Sequence, residues 1–121
     1  MPRGFQLGFS ELDGEVRSVA GYRYFDNLFA GRLLYVDDLV TRKQDRSRGF
    51  GDQLFDWLGE LARKENCNTL ELDSGAHEFD AHRFYLRKRM DIESHHFRLA
   101  LRVSTRGRAR APAALALAVW R

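Results

Sequence analysis

The stretch LLYVDDLVTRKQDRSRGFGDQLFDWLGEL, residues 33–61, decides the fold of this chain. It opens with a strand pattern over 33–41, passes through a basic turn, and continues into an amphipathic helix that we expect over 51–64. Apolar side chains recur in that helix with the period of an α-helix, so one of its faces can be buried in a core. We therefore predict a strand, a glycine-bearing turn and a helix in direct succession.

The turn is suited to a bound anion. Backbone N–H groups at the start of a helix have no intrahelical partner and attract negative charge. Gly49 and Gly51 allow a bulky group to approach the backbone, while Arg46 and Arg48 add positive charge. The expected ligand is a phosphate or pyrophosphate; the alternative is an ordinary helix start with solvated arginines. The Walker and dinucleotide motifs are excluded, because their lysine and their third glycine are missing.

Composition limits the class of protein. With 121 residues, of which 44% are hydrophobic, the chain can build one core but not two. A formal net charge of +3 suits an anionic ligand and does not require nucleic acid. Cys67 is the only cysteine and no zinc-ligand spacing is present, so we expect no disulfide, no metal and a cytoplasmic protein. No stretch has the length of a membrane span.

Strand and helix patterns surround the central stretch. Alternating apolar residues predict strands over 5–9 and 16–25, which form a three-stranded meander with 33–41. A short strand at 69–73 follows the first helix, and the right-handed crossover rule places it parallel to 33–41. We predict a second helix over 80–89, with Asp80 as its N-cap, and a last strand over 92–101.

Two motifs in this order resemble those of the GNAT family of N-acetyltransferases. Arg46-x-x-Gly49-x-Gly51 resembles the family's Gln/Arg-x-x-Gly-x-Gly/Ala signature, and AHRFYLRKRM at 81–90 is similar to its A-x-x-F-Y-x-x-x-G-F segment. The resemblance implies an α+β domain over 1–102 with a twisted, mostly antiparallel sheet. That sheet would have a central parallel pair, 33–41 and 69–73, and flanking helices. We expect a flexible basic and Ala-rich tail at 103–121.

The resemblance also implies a reaction and a cofactor. Family members transfer the acetyl group of acetyl-CoA, bound as co-substrate, to a primary amine by direct attack in a ternary complex. The two parallel strands part, and the pantetheine arm pairs with the free edge of the first strand as an added strand would. The residues expected to bind the cofactor are Leu39, Val40, Thr41, Arg46, Arg48, Gly49, Phe50 and Gly51.

Candidates for proton transfer come from the strands and the second helix. Tyr85 stands where the family commonly places the general acid that protonates the leaving thiolate; the alternative is a core aromatic. Asp38 and Glu71 are the candidate bases. We expect Asp37 and Asp38 to point to opposite faces of their strand, so that at most one lines the cleft. Glu71 and Asp73 share a face of the next strand, and a water relay could replace any of these carboxylates.

Several features leave alternatives open. The chain begins at what resembles the family's second strand, so we expect it to lack the elements that form one wall of the acceptor site. It could therefore form a homodimer, or be an acyl-CoA-binding module without turnover. The basic composition leaves a nucleic-acid-binding domain as a third class.

His95 and His96, as strand neighbours, would point apart and share no metal ion. The acceptor, a small molecule or a peptide amine, is left open, and we expect neither specific nucleic-acid binding nor membrane association.

Overall fold

The computed structural model describes residues 4–102 of the chain. Within these residues the chain divides into two units, which separate between Arg89 and Met90. The elements of the first unit are β1 (Gln6–Leu12), β2 (Glu15–Asn27), β3 (Gly31–Thr41), a 3₁₀ turn (Lys43–Asp45), α1 (Phe50–Lys64), β4 (Thr69–Leu72) and α2 (Phe79–Arg87). The α+β class is confirmed, and the expected tail at 103–121 lies outside the described residues.

The strands form one mixed sheet in the order β1-β2-β3-β4. β1 pairs antiparallel with β2, and β2 pairs antiparallel with β3. The hairpin between β1 and β2 turns at Asp13 and Gly14, which both have positive φ, as a tight hairpin turn requires. β3 precedes α1 in the chain and β4 follows it. The two strands pair in parallel, which confirms the predicted crossover.

The predicted last strand over 92–101 is wrong. Residues 90–102 contain neither helix nor strand, and the apolar side chains that alternate there stay exposed, with Phe97 at 91% and Leu99 at 81%. Alternation makes a strand only where a neighbouring strand supplies a ladder and a core covers one face. As a result, β4 is an edge strand of the sheet among the described residues, and the parallel pair is not central. His95 and His96 lie on no strand, so the prediction that they point apart loses its basis.

α1 covers one face of the sheet. Its buried Leu54, Leu58 and Ala62 pack in one cluster with residues of β2 and β3, and Leu58 and Leu34 are fully buried. At the β1 end, Gly8 leaves room for the ring of Trp57, because a Cβ on Gly8 would come within 2.6 Å of that ring. The helix is thereby fixed on the sheet, with its first turn next to the end of β3.

α2 begins and ends slightly differently from the prediction. Glu78 occupies the N-cap position and the helix starts at Phe79, so Asp80 lies in the first turn instead of capping it. The helix ends at Arg87, and Arg89 just beyond it has φ 69. Arg89 stands where the family segment carries glycine, the residue that adopts this left-handed conformation without strain.

Candidate functional site

The first turn of α1 presents free backbone donors. Gly49 is the N-cap, and the first helical hydrogen bond runs from the Gln53 N–H to the Gly49 carbonyl at 3.0 Å. No side chain of the described residues caps this end of the helix. The N–H groups of Phe50, Gly51 and Asp52 precede that bond, so they have no partner within the helix. Donors in this position suit a phosphate oxygen.

The two glycines of the motif differ in what a side chain would meet there. Gly49 has φ +91, a left-handed conformation that side chains disfavour, although a Cβ there would have nothing within 4 Å. Gly51 has no such backbone requirement, but a Cβ on it would lie 3.0 Å from Thr41 Oγ1. The backbone conformation explains the first glycine, and the contact with the end of β3 explains the second.

Asp45 organises the charges of the turn, and the sequence interpretation missed it. Its side chain is 1% exposed and forms ion pairs with Arg17 at 3.0 Å, Arg42 at 2.6 Å and Arg48 at 2.9 Å. Arg48 also lies over the ring of Phe50, 5.4 Å from its centroid. The signal that could have found Asp45 is its position as the single acid in the basic run RKQDRSR, residues 42–48.

The surroundings of Asp45 keep it ionised. Burial alone would raise the pKa of this carboxyl, but the hydrogen bond from Arg42 and the positive charges of Arg17 and Arg42 outweigh burial and hold the pKa below its usual value. Arg46 is different: it is exposed, and its guanidinium has no hydrogen-bond or ion-pair partner within residues 4–102. Of the two arginines expected at the cofactor, Arg46 is therefore the one without a competing carboxylate.

The pairing of β3 with β4 ends at Val36. Their ladder pairs residues 33–36 with 69–72 and ends at Val36 and Leu72, whereas β3 continues to Thr41 and stays paired with β2. In the described part of the chain, the edge of β3 that faced β4 therefore has no strand partner over Leu39, Val40 and Thr41. This edge leads directly into the turn and the free donors of α1.

A β-bulge interrupts β3 at the same place. β2 residue Tyr22 pairs with Val36 and its neighbour Gly21 pairs with Asp38, so Asp37 is an extra residue. Beyond it, Leu39 lies opposite Ala20 and packs against the α1 core. Directly paired residues share a face, so Asp38 points away from α1.

Asp37 points the same way as Asp38. Its carboxylate binds both Nε and Nη2 of Arg23 at 2.8 Å, and Arg23 lies over the ring of Tyr35 on the face opposite α1. The prediction that Asp37 and Asp38 point to opposite faces is wrong, because the bulge breaks the alternation between them.

The face opposite α1 therefore gathers the candidate bases. Glu71 pairs with Tyr35 in the β3–β4 ladder and accepts a hydrogen bond from the Thr69 hydroxyl at 2.8 Å. Asp73 accepts one from the Tyr35 hydroxyl at 2.5 Å. Asp38 is exposed, and among the described residues no cation pairs with it. Asp38 and Glu71 have no ion-pair partner among the described residues, so an arriving cation can reach either carboxylate without displacing an arginine.

Tyr85 lies on the other side of the sheet, with α1. Its ring is 6.4 Å from that of Phe55 and 5.4 Å from that of Phe84. Lys88 holds α2 against α1 through ion pairs with Asp52 and, at 2.7 Å, with Asp56. Burial raises the pKa of the Tyr85 phenol above its usual value, so the hydroxyl carries its proton at neutral pH.

Other chemistry finds little support in the described residues. Within residues 4–102 no three His, Cys, Asp or Glu side chains gather as a metal site would require, and no helix is long and apolar enough to cross a membrane. Cys67 packs against the core, and burial raises the pKa of its thiol, which opposes a nucleophilic role. His82 bonds to the Gly75 carbonyl at 2.7 Å, a contact within its own loop and helix.

Comparisons with known proteins show the family of this chain. The model of the acetyltransferase (GNAT) family matches residues 2–90. The N-acetyltransferase YhdJ of Bacillus subtilis, described as uncharacterized, is 38% identical over 84 residues, which are 69% of this chain and 59% of YhdJ. Aminoalkylphosphonate N-acetyltransferase of Salmonella typhimurium is 36% identical over 63 residues, 52% of this chain and 40% of that enzyme. The matched segment thus spans little more than half of one relative and less than half of the other.

A solved structure shows the same fold. The crystal structure of a transcriptional regulator from Bacillus halodurans C-125 has a TM-score of 0.74 to this chain at 20% identity, over 80% of this chain and 66% of that one. At this level of identity the likeness concerns the arrangement of helices and strands alone.

Proposed function

The chain belongs to the acetyltransferase (GNAT) family, and from that premise we propose that it transfers the acetyl group of acetyl-CoA to a primary amine by direct attack in a ternary complex. The observation that carries the proposal is the edge of β3 beyond Val36, which β4 does not pair with, next to the uncapped first turn of α1. An extended, amide-rich arm ending in a pyrophosphate matches both features. The single, partly buried cysteine suits a reducing, cytoplasmic setting.

The cofactor would lie along the end of β3 and the turn. Its pantetheine amides would pair with the backbone of Leu39, Val40 and Thr41, much as an added strand pairs with a sheet edge. Its pyrophosphate would accept hydrogen bonds from the N–H groups of Phe50 and Gly51, where the helix dipole also favours negative charge. The left-handed Gly49 and the exposed Arg46 would complete the phosphate site, and Arg48 would act on the turn through its ion pair with Asp45.

The reaction needs a proton acceptor and a proton donor. An ammonium substrate first gives a proton to a carboxylate, for which Asp38 and Glu71 are the candidates. The amine nitrogen then attacks the acetyl carbonyl and a C–N bond forms. As the C–S bond breaks, the CoA thiolate takes a proton from the Tyr85 hydroxyl; the nitrogen gives its second proton to solvent, and the Tyr85 phenolate takes one back from solvent. Asp38 and Glu71 lie on the face opposite α1, whereas Tyr85 packs against α1. Proton acceptor and donor would therefore flank the gap between β3 and β4 from different sides.

The acceptor class follows from charge. Carboxylates near the gap favour a cationic amine, presented by a small molecule or by a peptide. One relative is an aminoalkylphosphonate N-acetyltransferase, an enzyme whose name describes a small amine acceptor. We propose this class, a primary amine that is protonated in solution, for the present chain as well.

Calorimetric titration and a thiol-release assay test the proposal. We expect acetyl-CoA to bind, duplex DNA to bind only weakly with an affinity that fades as salt is raised, and at least one amine of a screened panel to release CoA thiol. Binding of acetyl-CoA without thiol release for any amine would favour an acyl-CoA-binding module. Absence of acetyl-CoA binding together with salt-resistant DNA binding would contradict the assignment.

A further inference from the structure

Asp45 lies at a buried position, where an ionised carboxylate is energetically unfavourable. It lies at the start of a turn proposed to bind an anion, and its side chain is 1% exposed. A buried ionised carboxylate is unfavourable unless its oxygens are paired and hydrogen-bonded. Here Oδ1 accepts from Arg17 and Arg48, and Oδ2 accepts from Arg42. Such complete pairing of one buried acid indicates that Asp45 has a role in organising the turn.

The partners of Asp45 come from both ends of the turn and from the sheet. Arg17 belongs to β2, while Arg42 precedes the 3₁₀ turn and Arg48 precedes α1. Backbone hydrogen bonds connect the same residues: the Arg42 N–H donates to the Arg17 carbonyl at 2.8 Å, and the Asp45 N–H donates to the Arg42 carbonyl at 2.8 Å. At the helix end, the Ser18 hydroxyl donates to the Phe50 carbonyl at 3.3 Å. Asp45 thus connects the sheet to both halves of the turn.

The turn needs such an anchor because its backbone is strained. Ser47 has φ 67 and Gly49 has φ 91. A serine in the left-handed region is unfavourable on its own and persists only where the surrounding contacts hold it. The ion pairs of Asp45 flank Ser47, since Arg42 precedes it and Arg48 follows it, and Arg48 is the residue directly before Gly49.

We propose that Asp45 is a positioning residue for cofactor binding: it holds the turn in the conformation in which the first N–H groups of α1 receive the pyrophosphate of acetyl-CoA. It also engages Arg17, Arg42 and Arg48, so that Arg46 is left to approach the phosphates. The inference rests on the proposed function, because it assumes that the turn binds the cofactor. The three arginines outnumber Asp45 and the exposed Glu15 that pairs with Arg42, so the cluster keeps a net positive charge toward the ligand.

The variant Asp45→Asn tests the inference, with acetyl-pantetheine as the probe that separates positioning from general stability. Acetyl-pantetheine carries the thioester and the amide arm but no pyrophosphate. We expect Asp45→Asn to lower the affinity for acetyl-CoA about tenfold or more, the loss typical of a misplaced charged hydrogen-bonding site. The affinity for acetyl-pantetheine should stay within about twofold, because the β3 edge is unchanged. Both affinities are measured by calorimetry on the full chain.

Glu15→Gln is the matched control, because Glu15 also pairs with Arg42 and Arg17 but is 60% exposed. It removes one negative charge from two of the three arginines that pair with Asp45 without freeing the turn, so we expect both affinities to be retained. If Asp45→Asn does not fold, Arg17→Gln decides the question, since it cuts the tether to β2 while leaving Asp45 paired with Arg42 and Arg48; it should show the same selective loss.

The outcomes are distinguishable. Equal losses for both thioesters, or no loss for acetyl-CoA in a folded variant, would overturn the positioning role while leaving the proposed function intact. If the unmodified protein binds neither thioester, the proposed function fails, and the inference that depends on it fails as well.

Discussion

Replacing Gly49 by alanine tests directly whether the turn before α1 receives the pyrophosphate. Gly49 has φ +91, and a Cβ added there would have nothing within 4 Å. Gly14, in the hairpin between β1 and β2, has φ +78 and equally open surroundings. The variants Gly49→Ala and Gly14→Ala therefore introduce the same methyl group and a similar backbone strain at two distant places.

The cost to stability should be similar in the two variants. A left-handed conformation costs an L-residue about 1–2 kcal/mol, and the smaller conformational freedom of alanine in the unfolded chain offsets roughly 0.5–1 kcal/mol of it. The net destabilisation is about 1 kcal/mol, which corresponds to a fall in Tm of roughly 4–8 °C for a domain of this size class. No steric clash adds to it, because neither Cβ meets another atom.

The variants Gly49→Ala and Gly14→Ala should differ in how much acetyl-CoA raises their Tm. Acetyl-CoA at about 100 times its Kd stabilises a folded protein by roughly 2.7 kcal/mol, and we expect the unmodified chain and Gly14→Ala to show the corresponding rise in Tm. Gly49→Ala should lose most of that rise, because its methyl group occupies the open space over the turn and its backbone shifts the N–H groups. Thermal unfolding followed by fluorescence, with and without acetyl-CoA, measures both effects. Equal ligand-induced shifts in the two variants would refute the placement of the pyrophosphate.

Four further predictions concern the chemistry and the stability of the fold. Tyr85→Phe should lower kcat by roughly 10²–10⁴-fold while the KM for acetyl-CoA stays nearly constant; a thiol-release assay measures both, and unchanged turnover would make Tyr85 a packing residue. Leu58→Ala, at a fully buried position, should cost about 2–5 kcal/mol of unfolding free energy in a urea titration, whereas Leu28→Ala, at a fully exposed one, should change it by less than about 0.5 kcal/mol. Arg89→Gly should raise Tm, because glycine relieves the left-handed conformation at the end of α2; a lower Tm would show that the Arg89 side chain stabilises that end of the helix. The pKa of Asp45 is lower in the folded than in the unfolded chain, so its stabilisation is present above about pH 4 and is lost as pH falls through the folded pKa. In acid, the free energy of unfolding should therefore fall less steeply with decreasing pH in Asp45→Asn than in the unmodified chain. Identical slopes in the two proteins would contradict the lowered pKa of Asp45.

Local patterns predicted most of the fold because they describe what each element needs by itself. The amphipathic period of residues 51–64 matches α1, and the Asp13-Gly14 pair matches a hairpin whose two turn residues have positive φ. The strand over 92–101 had the correct alternation but failed, since a strand also requires a partner that local sequence does not specify. Patterns of a single element are therefore informative about that element and say less about its pairing.

The charges of the turn could not be assigned from sequence for a related reason. Arg46 occupies the first defined position of the motif and Arg48 a variable one, but both carry the same charge and both were expected at the cofactor. In the folded chain Arg48 pairs with Asp45 and lies over Phe50, whereas Arg46 is exposed. The difference depends on the burial of Asp45 against Arg17, a residue 28 positions earlier in the chain. A contact of that separation is a property of the tertiary structure, and it decides which arginine can approach a phosphate.

The bulge at Asp37 has the largest consequence for the proposed chemistry. Strict alternation assigns Asp37 and Asp38 to opposite faces, but one extra residue in β3 reverses the assignment beyond it, so Leu39 faces the α1 core and Asp38 joins Asp37 on the other face. Arg23 neutralises Asp37 through two hydrogen bonds of 2.8 Å, and Asp38 keeps an exposed carboxylate. This favours Asp38 over Asp37 as the group that accepts the proton of the amine. Because Tyr85 packs on the α1 side, the bulge also puts Asp38, the candidate base, on the face of the sheet opposite the candidate acid, so that two separate groups serve the proton that leaves the nitrogen and the proton that the sulfur takes up.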